Sequence, residues 1–66
     1  MSDPAIIRQL AERVPVGSRV LDLGCGDGAL LAYLQQHRAC TGYGVELNDA
    51  NVLACVQRGV SVLQLN

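Results

Sequence analysis

The stretch VLDLGCGDGALL, Val20 to Leu31, sets three glycines within five residues between two apolar runs. The run before them, RVLDL (Arg19 to Leu23), is short, β-branched and apolar, and predicts a strand. The run after them predicts a helix from Ala29 to about Arg38, with Leu30, Leu31 and Leu34 sharing one face. A strand handing over to a helix through glycines is where α/β sheets bind nucleotides and related ligands. Gly24 permits a tight turn, Gly26 removes a side chain so that a ligand reaches the backbone, and Gly28 opens the helix. A turn with no ligand would use glycines in the same way, so the loop alone does not decide the function.

The same alternation continues on either side. Upstream, DPAIIRQLAERV predicts a leading helix within residues 1–16: Asp3 caps, Pro4 suits the first turn, and Ile6, Ile7, Leu10 and Val14 recur at helical spacing. PVGS, Pro15 to Ser18, breaks it. Downstream, TGYGVE (Thr41 to Glu46) predicts a second strand. NDANVLACVQRG predicts a third helix, capped by Asn48 or Asp49, packed through Val52, Leu53 and Val56, and stopped by Gly59. VSVLQL, Val60 to Leu65, predicts a third strand.

A helix followed by β-α-β-α-β over residues 17–66 implies parallel strands joined by right-handed crossovers, with both crossover helices on one face. Yet Val20 and Leu21, like Val62 and Leu63, put apolar side chains on both faces, and parallel sheets are normally covered on both. The expected architecture is therefore α/β, the N-terminal half of a Rossmann-like doubly wound parallel sheet, truncated at the third strand. A bare face and an open edge at the first strand invite self-association.

Composition bounds the rest. The chain has 66 residues, is half apolar and carries a formal charge of −1. A chain this short buries only about 60% of its unfolded surface. The five basic residues are all arginines, scattered singly at Arg8, Arg13, Arg19, Arg38 and Arg58, so no basic stripe exists for nucleic acid. No run approaches the length of a membrane span, and no secretion signal opens the chain. Cys25, Cys40 and Cys55 are odd in number and lack the close pairing of zinc sites, which predicts reduced thiols in a cytoplasmic protein and no metal. Cys25 lies inside the glycine loop; neighbouring carboxylates oppose its ionisation, and a packing role is favoured for it and for the other two.

Charge chooses among ligands for the loop. Glu46 ends the second strand eighteen positions after Gly28, where a carboxylate accepts from both hydroxyls of a ribose. A dinucleotide would lay its pyrophosphate at the helix N-terminus, but Asp27 stands one residue before that helix and Asp22 two residues before Gly24. A nicotinamide cofactor is thus the weaker alternative, reached by counting Gly24, Gly26 and Ala29. A nucleoside with positive charge and no phosphate fits better: S-adenosylmethionine carries a sulfonium and an ammonium. Asp27 also suits a helix cap, and Asp22 a carboxylate held by loop N–H groups.

With these residues, LDLGCGDG followed by GYGVE resembles the class I S-adenosylmethionine-dependent methyltransferases. The matched positions are Asp22, Gly24, Gly26 and Gly28 in the first motif and Glu46 in the second. GSRVLDLGCGDGALLAYL with GYGVELNDANVLACVQRGVSVLQ is similar, from about Gly17 to Asn66, to the methionine biosynthesis protein MetW family. The resemblance implies S-adenosylmethionine or S-adenosylhomocysteine as ligand, held by Asp22, Gly24, Cys25, Gly26, Gly28, Glu46, Leu47 and Asn66. Asn66 stands where methyltransferases often place an acid for the adenine amino group, and its carboxamide still accepts one hydrogen bond. It also implies a bacterial protein of methionine synthesis with homoserine O-acyltransferase as partner, either as a methyltransferase or as a non-catalytic module.

Catalytic groups are not evident. His37 is the single histidine and reads as a solvated helix-end residue. Tyr33 and Tyr43 could face adenine, with packing the favoured role for both. The 66-residue chain by itself is expected to be inactive.

Overall fold

The computed structural model describes residues 3–65. Its elements are α1 (Pro4–Glu12), β1 (Arg19–Leu23), α2 (Ala29–His37), β2 (Thr41–Glu46), α3 (Asp49–Gln57) and β3 (Val62–Gln64). The strands form one parallel sheet in the order β1-β2-β3, with Asp22 opposite Gly44 and Gly44 opposite Val62. This is the expected α/β alternation, and it leaves β1 and β3 as edges among the described residues.

Local chemistry sets the helix ends. The Asp3 carboxylate accepts from the Ala5 N–H at 2.8 Å, ahead of Pro4, and the Asn48 carboxamide accepts from Asn51 N–H at 3.0 Å. Each satisfies a backbone donor that the first turn would leave unpaired. At the far end of α3, Gly59 follows the cap residue Arg58 and the Val60 N–H returns to the Cys55 carbonyl at 2.9 Å.

The core lies entirely on one side of the sheet. Leu31 and Ala32 of α2 meet Cys55 of α3 and Val60, over Val20, Cys25 and Val62. A second cluster joins Ala11 of α1 to Leu34 and Cys40. Both crossover helices therefore cover the same face, as parallel crossovers require. The opposite face is bare: Leu21, Leu23, Tyr43 and Leu63 are all exposed, Leu23 to 74%.

The structure corrects three details. Leu53 and Val56 do not pack; they are 57% and 61% exposed, while Cys55 is fully buried and Val52 half-buried. Each of the two lies one residue, about 100° of helix rotation, past the inward line set by Val52 and Cys55. In α1 the buried residue is Ala11, and Ile6 and Leu10 stay exposed, because a methyl lets α1 approach α2 more closely than a branched chain would. The third strand pairs over Val62–Gln64 only, since Val60 is committed to closing α3.

Candidate cofactor site

The glycine loop sits at the C-terminal end of β1, and its backbone is tied to the tip of β2. Gly24 and Cys25 both donate to the Val45 carbonyl, at 2.8 and 3.1 Å. The Gly26 N–H donates to Glu46 Oε1 at 3.0 Å. Gly24 and Gly26 adopt φ of +72° and +61°, a region that side-chain-bearing residues rarely visit, and nothing lies within 4 Å of where a Cβ would stand. The loop is left-handed and open on the side a ligand would use.

Gly28 serves differently. A Cβ there would come to 2.9 Å from the Cys55 thiol, so this glycine lets α3 close against the loop. The Cys55 thiol donates to the Gly26 carbonyl at 3.3 Å and lies 3.7 Å from Cys25 Sγ. The Cys25 side chain therefore turns into the core beneath the loop. Burial first, then the Cys55 thiol and the charges of Asp22 and Glu46, push its pKa up to about 12. At neutral pH it is a packing thiol, as expected from the sequence, and only its backbone can face a ligand.

Glu46 points at the loop. Its second oxygen accepts from the Asn48 N–H at 2.8 Å. That bond, with the Gly26 N–H, holds the carboxyl below the ordinary glutamate value. Each oxygen accepts one short hydrogen bond, and the Asn51 side chain and the Leu47 N–H lower the carboxyl's pKa further. Leu47, next in the chain, is exposed, and its carbonyl accepts from the Gln64 carboxamide at 3.0 Å.

The two aspartates divide their roles. Asp27 Oδ1 accepts from the Ala29 N–H at 3.1 Å and Oδ2 meets Arg58 Nη2 at 3.5 Å. The cap position itself is held by Gly28, which has no side chain to offer, so Asp27 serves the first donor of α2 from one residue outside the cap, with a guanidinium beside it. Asp22 is half-buried on the helix side of β1 and accepts no hydrogen bond among the described residues. The loop N–H groups that could have held it go to Val45, Glu46 and Cys25 instead, which excludes the reading of Asp22 as a carboxylate held by the loop. Burial pushes its pKa above the ordinary aspartate value. A cationic ligand at the loop would give Asp22 the partner it lacks.

Asn66 lies outside the described residues. His37 is exposed at the end of α2, its ring 4.3 Å from that of Tyr33, and Tyr43 lies on the bare sheet face. Packing is the role of Tyr33, which borders the second cluster. Among the described residues no three His, Cys, Asp or Glu side chains gather as a metal site, and no helix is long and apolar enough to cross a membrane.

Sequence reasoning did not single out Gly44. A Cβ on it would overlap the Cys25 side chain and come to 3.1 Å from Leu31 Cδ1. The available signal was a glycine inside a strand pattern, which marks the close approach of another group.

Comparison with known proteins agrees with this geometry. A bifunctional methionine biosynthesis protein, MetXA/MetW, of Rhodopirellula baltica is 40% identical over 82% of this chain, which spans a tenth of that protein. The crystal structure of a SAM-dependent methyltransferase from Thiobacillus denitrificans, in complex with S-adenosyl-L-homocysteine, superposes with a TM-score of 0.86 at 25% identity. The alignment covers 96% of this chain and 29% of that one. A SAM-dependent methyltransferase from Geobacter sulfurreducens, in complex with the same ligand, gives 0.70 at 28% identity, covering 97% of this chain and 29% of that one. Similarity thus reaches across nearly the whole chain but only part of each relative. Residues 3–66 match the family described as methionine biosynthesis protein MetW, and the chain belongs to that family.

Proposed function

We propose that the loop between β1 and α2, with Glu46, binds S-adenosylmethionine or S-adenosylhomocysteine in a protein of bacterial methionine biosynthesis. The observation that carries this reading is Glu46, ionised and aimed at the loop. Its two oxygens accept from the ribose hydroxyls while the Gly26 and Asn48 N–H groups fix the carboxylate plane. Gly24 and Gly26 present open backbone to the methionine portion, and the unpartnered Asp22 attracts its positive charge. Leu47 lies beside the adenine, Gly28 lets α3 close beneath the loop, and Cys25 contributes its backbone. The family resemblance gives Asn66 the contact with the adenine amino group, which its carboxamide oxygen would accept. When bound, the sulfonium supplies an activated methyl group. This chain's own residues hold and orient it.

Asp27 no longer weighs against a dinucleotide as it did in the sequence, because Arg58 stands beside it. The case against pyrophosphate moves to Asp22, which has no cation beside it among the described residues.

Calorimetry on the natural protein that carries this sequence tests the reading. S-adenosylhomocysteine binds and NAD gives no heat. Glu46→Ala weakens binding by about 1–3 kcal/mol, the cost of two hydroxyls left without their acceptor. Tight NAD binding, or an affinity indifferent to Glu46, overturns it.

A second reading is favoured by the fused relative. The name of that protein joins MetXA and MetW in one polypeptide, which supports reading this kind of domain as working beside an acyltransferase. On that reading the chain is part of a cytoplasmic, non-catalytic module supporting homoserine O-acyltransferase. Activity of the acyltransferase with and without this protein separates the two: equal activity removes the module.

A further inference from the structure

A cavity of about 540 Å³ lies on the outer side of α2, against α1 and the end of α3, and reaches the glycine loop at Asp27. Its floor is the stripe Ala29, Ala32, Tyr33 and Gln36, spaced as one helix face. Leu31 and Leu34, on the opposite side of α2, are buried toward the sheet. Ile7 and Arg8 of α1 form one wall and Arg58, at the end of α3, the other. Neither Glu46 nor Gly24 nor Gly26 borders it. Of the loop only Asp27 borders the groove, so the groove's lining is distinct from the residues assigned to the cofactor.

Three properties describe what fits. Two alanines in the floor allow a backbone to approach closely. Arg8 has no ion pair among the described residues, and Arg58 has one, to Asp27, at 3.5 Å with both side chains solvated. With two arginines and one aspartate on its rim, the groove is positive in a chain whose net charge is −1. The floor runs about 10 Å, two helical turns.

We propose that this groove docks an acidic amphipathic helix of the homoserine O-acyltransferase partner. The proposal rests on the partner reading above and adds to it the surface and its charge. An apolar stripe on the docked helix would meet Ala29, Ala32 and Tyr33, and flanking carboxylates would meet Arg8 and Arg58. A contact this small gives weak binding between separate chains, strongest at low salt. It suffices where the two partners share one polypeptide, as in the Rhodopirellula baltica protein, because tethering raises the effective concentration.

The test is calorimetry of the natural protein against its own homoserine O-acyltransferase, at low and high salt. The double reversal Arg8→Glu with Arg58→Glu weakens binding at low salt by about tenfold or more, and high salt narrows the gap. Arg8→Lys with Arg58→Lys retains most of the affinity. Far-ultraviolet circular dichroism is the same for all three proteins, which shows that the fold is intact. Equal acyltransferase binding by the wild type and the reversal overturns the groove while leaving the partner reading in place. No binding by the wild type overturns both. If sedimentation shows the reversal dissociating copies of this chain instead, the occupant is a second copy and the proposal fails.

Discussion

The two faces of the sheet have similar raw material and opposite fates. On one, Val20, Gly44 and Val62 lie under Leu31, Leu34 and Cys55, and side chains meet at van der Waals distance. On the other, Leu21, Leu23, Tyr43 and Leu63 are no less apolar, yet nothing described covers them. The difference is the direction of the crossovers. Two successive connections of one hand put both helices on one side, and three strands offer no reversal point for helices on the other. The glycines follow the same division: Gly28 and Gly44 face the covered side, where a methyl would collide with Cys55 or Cys25.

The largest expected effect breaks the comparison outright. Leu34→Ala removes a side chain with 0% exposure and costs about 2–5 kcal/mol in urea unfolding. Leu21→Ala, the same change on the bare face, stays within about 0.5 kcal/mol. Equal costs would mean that the bare face is buried in solution. A self-associated chain would produce that result, and sedimentation would reveal it.

Next comes the space reserved beneath the loop. Gly44→Ala drives a methyl into Cys25 and costs about 1–3 kcal/mol. Adding Cys25→Gly recovers part of that loss, since the collision is with both Sγ and Cβ of this side chain, and alanine would keep the Cβ. A double variant no better than Gly44→Ala alone would place the conflict in the backbone.

The smallest effects lie at the rim of the covered side and have opposite signs. Glu46 has a lowered folded pKa, so its contribution to stability is present above the unfolded value and lost as pH falls through the folded one. Asp22 has a raised pKa, so its ionisation costs stability, a cost that grows as pH rises from the unfolded value through the folded one. At neutral pH, Glu46→Gln lowers the unfolding midpoint and Asp22→Asn raises it. Asp22→Asn also weakens S-adenosylhomocysteine binding, which sets stability against ligand affinity at one residue. A midpoint unmoved by Asp22→Asn would show that its carboxylate finds a partner in solution.

Much of this was legible in the sequence. Apolar runs bounded by glycines, Asp3 and Asn48 as caps, and Glu46 ending β2 are local signals, and each element appears where its own residues predict it. The glycine loop and the acid after it also carried the family. The misread packing of Leu53 and Val56 has a physical cause: periodicity defines an apolar stripe, but the rotation of a helix about its axis is set by its neighbours. Here α3 turns Cys55 inward, against Gly28 and the cluster of Leu31, Ala32 and Val60.

The sequence by itself determined the alternation of strands and helices, the left-handed loop and the acid at the second strand's tip. Only the tertiary structure decided which aspartate is paired, why Gly44 is a glycine, and that a positive groove opens behind α2. Those properties depend on atoms distant in the chain brought within a few ångströms. No local preference encodes such distances, because they arise from packing, where each side chain's position is fixed by all the others.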